Sequence, residues 1–137
     1  MHAICVDPAR VAEVWPLVKD LVKRATDRGF SDFSAIEANV LDGMYLVWLA
    51  YEDRPQTAMS SGRLKIKGVA VTGLVGDACE IIAAAGSDIR SWLHLIERIE
   101  GYALIEGRKR MRIIGRQGWK RLLPDYKQQA VVLERKL

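Results

Sequence analysis

The chain has few residues of the types that bind metals, form disulfides or cross membranes. Its two cysteines, Cys5 and Cys79, and its two histidines, His2 and His94, show no metal-ligand spacing. Both cysteines lie in apolar, strand-like surroundings, so we expect buried free thiols in a reducing cytoplasm. No segment approaches the roughly 18 apolar residues that span a bilayer, and residues 1–8 lack the pattern of a signal peptide. We therefore expect a cytoplasmic protein without a metal or a membrane partner.

The composition is that of a soluble globular protein, with half of the residues hydrophobic and 28% charged. We expect one domain over residues 1–137, because a chain of this length can bury about 68% of its unfolded surface. The net charge of +4 is mild, but basic residues concentrate near the C-terminus. Such a cluster could bind the phosphates of a nucleotide cofactor, a nucleic acid or an acidic protein face, or it could be solvated surface. This basic cluster consists of Arg108, Lys109, Arg110, Arg112, Arg116, Lys120 and Arg121.

The N-terminal part predicts a strand and then two helices. A short strand over residues 2–6 precedes Asp7 and Pro8, which suit the start of a helix. Apolar residues recur there with helical spacing as far as Gly29, and Pro16 should kink or split this helix. A second helix should begin after residue 31 or 32 and end at residues 42–43. Its inner side should be formed by Phe33, Ile36 and Val40.

Three strands joined by short turns should follow. Residues 44–51 are nearly continuous in apolar residues, which predicts a strand covered on both faces. A valine-rich strand over residues 68–75, the Gly76–Asp77 turn signal and a strand over residues 78–85 complete the group. Parts of the polar stretch between residues 52 and 68 could extend the flanking strands. Consecutive strands with short turns predict an antiparallel meander.

The C-terminal part predicts a crossover helix, a strand, a short helix and a closing strand. A helix should start at residues 86–88 and end at Gly107, followed by a strand over 111–114, a helix over 116–123 and a strand over 128–136. The strand–helix–strand passage predicts a parallel pair. We therefore expect an α/β fold with a mixed, mostly antiparallel sheet, one parallel crossover and about four flanking helices. The buried stripe of the crossover helix should be Ile89, Trp92, Leu93, Ile96, Ile99 and Ala103.

Four short runs of the C-terminal half resemble N-acetyltransferases of the GNAT superfamily. They are Trp92-Leu93, Gly115-Arg116-Gln117-Gly118-Trp119, Leu123-Pro124-Asp125-Tyr126 and Val131-Val132-Leu133-Glu134. More specifically, the chain is similar to small GNAT-like proteins of bacteriophages and prophages. The resemblance implies the GNAT fold over nearly the whole chain, an acetyl-CoA cofactor and an amine acceptor. It also implies a location in a host cytoplasm or a virion.

The resemblance further implies that acetyl-CoA lies in a wedge between the fourth and fifth strands. The pyrophosphate would rest on the N-terminus of the following helix, where free N–H groups bind anions. The family signature there is Arg or Gln, two residues, Gly, one residue, then Gly or Ala. This chain has one glycine in a shorter turn, and Asp88 places a carboxylate near the phosphate position; helix capping by Ser87 or Asp88 is the alternative interpretation. The implied cofactor residues are Ala84, Ala85, Gly86, Ser87 and Ile89. Arg90 and Arg116 could supply compensating positive charge, although Arg90 could equally point to solvent.

Direct acetyl transfer needs a base for the attacking amine and an acid for the departing thiolate. The resemblance implies Glu80, on the fourth strand, as the base; otherwise Glu80 is an outward-facing polar residue or the partner of an arginine. The position of the family's helical tyrosine falls near Leu122 or Leu123, which cannot act as an acid. Tyr126 is the nearest candidate, although it could instead pack on the sheet and hold the turn.

Two classes of function are therefore open. The first is an acyl-CoA-dependent N-acetyltransferase with a degenerate cofactor motif, which requires an opening between the fourth and fifth strands and free N–H groups at residues 86–89. The second is a catalytically inactive GNAT-fold phage protein, acting as a virion component or binding a host protein or nucleic acid through the basic cluster. A homodimer is plausible in both cases, because edge strands often pair between subunits.

Overall fold

The structure is a computed structural model that describes residues 2–27, 32–53, 64–87, 89–114, 123–129, 133 and 135–137. Five strands form one sheet in the order β1-β2-β3-β4-β5, and every neighbouring pair is antiparallel except the parallel pair β4–β5. This confirms the predicted mixed sheet with one parallel crossover. The elements are β1 (His2–Cys5), α1 (Val11–Asp27), α2 (Phe33–Leu41), β2 (Leu46–Asp53), β3 (Leu64–Val75), β4 (Ala78–Gly86), α3 (Ile89–Ile105) and β5 (Arg110–Ile113).

The first helix begins as expected but is not split by its proline. Asp7 accepts a hydrogen bond from the Ala9 N–H at 3.0 Å and caps a 3-10 turn that leads into α1. Pro16 lies inside α1, which runs on to Asp27, so the predicted possibility of a split is wrong. Proline removes one helical hydrogen bond and costs about 3 kcal/mol. Burial of Trp15 and Val18 on either side offsets that cost.

The second helix has the predicted caps and the predicted inner face. Asp32 accepts a hydrogen bond from the Ser34 N–H at 3.3 Å, which satisfies one free donor of the first turn. The chain turns out of the helix at Gly43, whose φ of +78° lies in the region that favours glycine. Ile36 and Val40 are buried against α1 and the sheet.

The sheet is covered on both faces, and β2 shows this most directly. Val47 and Leu49 pack on the side covered by α1 and α2, which we call the α1 face. Trp48 and Ala50 pack on the opposite side, covered by α3, which we call the α3 face. The nearly continuous apolar run therefore reflects burial on both faces, as predicted. In the described part of the chain, no helix is long and apolar enough to cross a membrane.

The crossover helix α3 buries a stripe that differs from the predicted one at Leu93. Where the structure describes the side chains of α3, the buried ones are Leu95, Ile96, Ile99 and Ala103, whereas 41% of the Leu93 surface is exposed. Leu93 precedes Ile99 by six residues, which places it about 120° away around the helix. The side chains of Ile89 and Trp92 lie outside the description.

The C-terminal predictions fall partly outside the described residues. Residues 115–122, which include most of the predicted short helix, are not described. None of the described residues in the predicted closing strand (128–129, 133 and 135–136) lies in a strand, and Leu133 is 91% exposed. A strand is therefore the wrong prediction for those residues, because their side chains find no cover. Leu123 is buried on the α3 face.

Both cysteines are free thiols, but only one of them is buried. Cys79 is buried in β4 on the α3 face, as expected. Cys5 is exposed at the end of the edge strand β1, so the prediction of burial is wrong there. An edge strand has a neighbour on one side only, and its last residues are therefore less completely covered.

Candidate functional site

Strand β4 carries one extra residue relative to β3. Thr72 pairs with Ile81 and Val71 pairs with Ala83, so Ile82 has no partner in the register and forms a β-bulge. The bulge changes the faces to which side chains point. Ile81 packs on the α3 face, whereas Ile82 and Ala83 both pack on the α1 face. Side chains of β4 still alternate between the two faces beyond the bulge, but odd- and even-numbered residues have exchanged faces.

The described ladder between β4 and β5 ends at this bulge. The last pair in register is Ile81 with Ile113, and the Ile114 N–H donates to the Ile81 carbonyl oxygen at 3.2 Å. Strand β4 continues to Gly86 along β3, and the Ser87 N–H donates to the Lys67 carbonyl oxygen at 3.0 Å. Backbone groups alternate in direction along a strand, so those of residues 84 and 86 point away from β3.

The structure brings most of the predicted cofactor residues to one end of the sheet. Ala84, Ala85 and Gly86 end β4, and Ile89 and Arg90 begin α3. Asp88 and Arg116 lie outside the described residues. The N–H of Ser87 is engaged by β3, so the expectation of free N–H groups at residues 86–89 is wrong at this position. A phosphate at this site would have to be held by the other backbone N–H groups between β4 and α3 and by those of the first turn of α3.

Glu80, the predicted base, lies just before the bulge and is paired with an arginine. The Arg112 Nη1 atom donates to Glu80 Oε1 at 2.7 Å, and the two residues are direct neighbours across the β4–β5 ladder. The Glu80 side chain is 13% exposed. Cys79 and Ile81 pack on the α3 face, so Glu80 between them points to the α1 face. Pairing with an arginine was one of the alternatives for Glu80, and its catalytic role remains a prediction.

Tyr126, the predicted acid, lies on the opposite face of the sheet. Its ring packs on the α3 face, and its hydroxyl donates to Glu100 Oε2 on α3 at 3.0 Å. The Tyr126 N–H donates to the Leu123 carbonyl oxygen and closes the turn at 3.0 Å. Burial and the hydrogen bond to Glu100 raise the pKa of the Tyr126 phenol well above its ordinary value. The structure therefore does not bring Glu80 and Tyr126 together around one thioester.

A second tyrosine, which the sequence did not single out, lies on the same face as Glu80. A Cβ atom on Gly73 would be 2.8 Å from Tyr45 Cε1, 2.9 Å from Tyr45 Cδ1 and 3.2 Å from Ile82 Cδ1. The Tyr45 ring therefore lies directly over Gly73, which pairs with Glu80 in register. The available signal was a glycine inside a valine-rich strand, which indicates the close approach of another group.

The described members of the basic cluster are largely bound to the protein's own groups. Arg108 Nη1 donates to the Gly76 carbonyl oxygen at 2.5 Å, and Arg110 Nε lies 3.4 Å from Asp77 Oδ2. With Arg112 on Glu80, three guanidinium groups tie the start of β5 and the residues before it to β4 and to the β3–β4 turn. Among the described residues, no three His, Cys, Asp or Glu side chains form a group that could hold a metal ion.

No protein-family model matches the chain, and no curated protein matches its sequence. Solved structures do match it in fold. A probable acetyltransferase is similar over 99% of this chain and 100% of its own, at 10% identity and a TM-score of 0.62. A predicted acetyltransferase from Clostridium acetobutylicum, solved with acetyl-CoA, matches 99% of this chain and 94% of its own, at 11% identity and a TM-score of 0.62.

An aminoglycoside acetyltransferase from an uncultured soil metagenomic sample, in complex with sisomicin, shows the same likeness. It matches 99% of this chain and 95% of its own, at 11% identity and a TM-score of 0.61. With its five-strand mixed sheet and parallel β4–β5 pair, the chain has the fold of the GNAT acetyltransferases.

Proposed function

We propose that this chain is an acyl-CoA-dependent N-acetyltransferase that uses acetyl-CoA and an amine acceptor. The observation that carries the proposal is the end of the described β4–β5 ladder at the Ile82 bulge, beyond which no strand in the described part of the chain pairs with the outer edge of β4 as far as Gly86. The match to acetyltransferase structures over 99% of the chain supports it. The neighbour from Clostridium acetobutylicum was solved with acetyl-CoA, which favours the same cofactor here.

The described residues fit the pantetheine arm of the cofactor better than its pyrophosphate. The amide groups of a pantetheine arm would pair with the backbone of Ala84 and Gly86, which points away from β3. The pyrophosphate would lie against the first turn of α3, beside Ile89 and Arg90, with Arg116 as a further charge. When bound, the cofactor supplies an acetyl group activated as a thioester. Glu80 would receive the proton of the amine on the α1 face.

Two observations favour a second candidate. The Ser87 N–H is engaged by Lys67, and the turn contains a single glycine, so phosphate binding has fewer donors than the family signature provides. On this basis the chain would be a catalytically inactive GNAT-fold phage protein, located in a host cytoplasm or a virion and able to form a homodimer. It would bind a host protein rather than a nucleic acid, because Arg108, Arg110 and Arg112 already have partners.

Calorimetric titration with acetyl-CoA tests the proposal. We expect micromolar binding by the wild-type protein and binding a few times tighter by Asp88→Ala, because a carboxylate near the pyrophosphate repels it. Glu97→Ala is the matched control: it removes the same charge from an exposed position of α3, more than two turns further along. The control should bind like the wild type.

The same titration can also reject the acetyltransferase proposal. If neither the wild type nor Asp88→Ala binds acetyl-CoA at millimolar concentration, the acetyltransferase proposal fails and the binding-protein candidate takes its place. Equal tightening by Asp88→Ala and Glu97→Ala would show a general effect of net charge and would remove Asp88 from the pyrophosphate site.

A further inference from the structure

We propose that Tyr45 is the proton donor to the departing thiolate, facing Glu80 across β3. The inference rests on the proposed acetyltransferase function, since it assigns one more residue to the same site. Direct transfer needs an acid close to the sulfur and a base close to the amine. The structure separates Tyr126 from Glu80 by the thickness of the sheet, so the acid has to come from elsewhere.

The positions of Tyr45 and Glu80 follow from the strand register. Leu46 pairs with Thr72, so Tyr45, one residue earlier, comes beside Gly73. Gly73 pairs with Glu80, and Glu80 pairs with Arg112. These positions form one row across four neighbouring strands, and the side chains of the row point to the α1 face.

The missing side chain at Gly73 lets the tyrosine lie across this row. Tyr45 Cε1 and Cδ1 are 2.8 and 2.9 Å from the place that a Cβ atom would take, so the ring occupies the space above β3. Ile82 Cδ1 lies 3.2 Å from the same point, which puts the ring beside the bulge where the described β4–β5 ladder ends. In the part of the chain that the structure describes, no hydrogen bond engages the Tyr45 hydroxyl.

The other tyrosines are excluded by their positions. The chain has four tyrosines, and all of them are among the described residues. Tyr102 and Tyr126 pack on the α3 face, and the Tyr126 hydroxyl is bound to Glu100. Tyr51 packs on the α1 face but is stacked against His2, with ring centroids 5.2 Å apart, at the far end of β2. Tyr45 is therefore the one phenol beside both Glu80 and the bulge.

The reaction balances with these two groups. The amine nitrogen attacks the thioester carbonyl carbon; a C–N bond forms and the C–S bond breaks. One amine proton passes to a carboxylate oxygen of Glu80, whose Oε1 atom is held by Arg112. The sulfur takes the phenolic proton of Tyr45, which yields the amide and free CoA thiol. The proton on Glu80 then returns through solvent to the Tyr45 phenolate, and both groups are restored.

Disulfide capture tests whether the sulfur of CoA reaches residue 45. In a Cys5→Ser background, which removes the exposed thiol, Tyr45→Cys and Tyr51→Cys are incubated with CoA disulfide and followed by mass spectrometry. We expect Tyr45→Cys to form the CoA adduct at least about tenfold faster than Tyr51→Cys, with excess acetyl-CoA protecting it, because a bound ligand raises the effective concentration of its sulfur. Equal rates for the two variants overturn the placement.

A calorimetric cycle tests the hydroxyl itself. CoA and desulfo-CoA, which lacks the sulfur, are titrated at pH 9, where part of the CoA thiol is ionised, into the wild type, Tyr45→Phe and Tyr51→Phe. We expect the wild type and Tyr51→Phe to bind CoA about tenfold more tightly than desulfo-CoA, and Tyr45→Phe to bind the two equally, because only Tyr45 donates to the sulfur. If Tyr45→Phe keeps the wild-type ratio, or if the wild type shows no preference, the assignment is overturned while the acetyltransferase proposal stands. Failure of the wild type to bind CoA or acetyl-CoA at all overturns both.

Discussion

At the scale of single residues, the absence of a side chain at Gly73 decides what can lie above β3. The Tyr45 ring lies closer than van der Waals contact to the position that a Cβ atom of residue 73 would take. We expect Gly73→Ala to lower the free energy of unfolding by about 1–3 kcal/mol, because the added methyl group overlaps the ring and forces Tyr45 or β3 to shift. Urea unfolding followed by circular dichroism measures this change.

The control for Gly73→Ala is the same substitution in a Tyr45→Ala background. There the methyl group finds space, so the cost should be much smaller, and alanine should be at least as stable as glycine in a strand. An equal loss of stability in both backgrounds would contradict the account, because it would show that the backbone at residue 73, and not the Tyr45 ring, requires glycine.

The chemistry of the candidate site could be predicted residue by residue, but its arrangement could not. The sequence predicted that Glu80 lies on the fourth strand and that an arginine could be its partner. In the structure, Arg112 donates a hydrogen bond to Glu80. Nothing in the sequence marks the bulge at Ile82, which reverses the facing of every later residue of β4. The face of Tyr126 is likewise set by the packing of a distant turn on α3. Facing depends on register, and register is a property of paired strands.

At the scale of elements, the C-terminus of α3 is closed by a glycine in the left-handed conformation. Gly107 has a φ of +73°, its N–H donates to the Leu104 carbonyl oxygen at 3.0 Å, and the Arg108 N–H donates to the Ala103 carbonyl oxygen at 2.9 Å. These two bonds form a Schellman motif, which satisfies carbonyl groups that the helix leaves free. The motif places Arg108 where its guanidinium reaches the Gly76 carbonyl oxygen.

Two glycines of this region should therefore respond to alanine in opposite directions. Gly107→Ala should destabilise the protein by about 1–2 kcal/mol, because an L side chain is strained at positive φ although there is space for it. Gly101→Ala, inside α3 at an exposed position with space around it, should stabilise by about 0.5–1 kcal/mol. Thermal unfolding of both variants measures the difference. A loss of stability in both would indicate that the region tolerates no added methyl group, whatever its φ.

The order of elements could be predicted because each one has a local signal. Asp32, Gly43 and the Gly76–Asp77 turn mark boundaries that the structure confirms. The errors occur where tertiary packing overrides the local signal. Pro16 does not split α1, because the burial of its neighbours keeps the helix continuous. Leu93 leaves the buried stripe, because the position of α3 over the sheet, and not its own periodicity, decides which side chains are covered.

At the scale of the whole molecule, the two faces of the sheet differ in their ionisable groups. The α3 face buries the thiol of Cys79 and partly buries the phenols of Tyr102 and Tyr126. Burial raises the pKa of the Cys79 thiol to about 11, and it also raises the pKa values of both phenols. All three groups are neutral when protonated, so the closed packing of α3 on the sheet holds each of them in its uncharged form.

This arrangement predicts a loss of stability in alkali. A group whose pKa is higher in the folded state contributes stability that is complete below its unfolded pKa and is lost as the pH rises through the folded value. For Cys79 the loss falls between about pH 9 and pH 11 and amounts to about 2–3 kcal/mol, and the phenols extend it further. Urea unfolding from pH 7 to pH 11 under reducing conditions should show this decline.

Cys79→Ala should be less stable at pH 7, because it leaves a small cavity, but its decline above pH 9 should be shallower. Tyr126→Phe should flatten the most alkaline part of the profile in the same way. If the slope above pH 9 is the same in Cys79→Ala as in the wild type, the buried thiol is not the group that links folding to pH in this range.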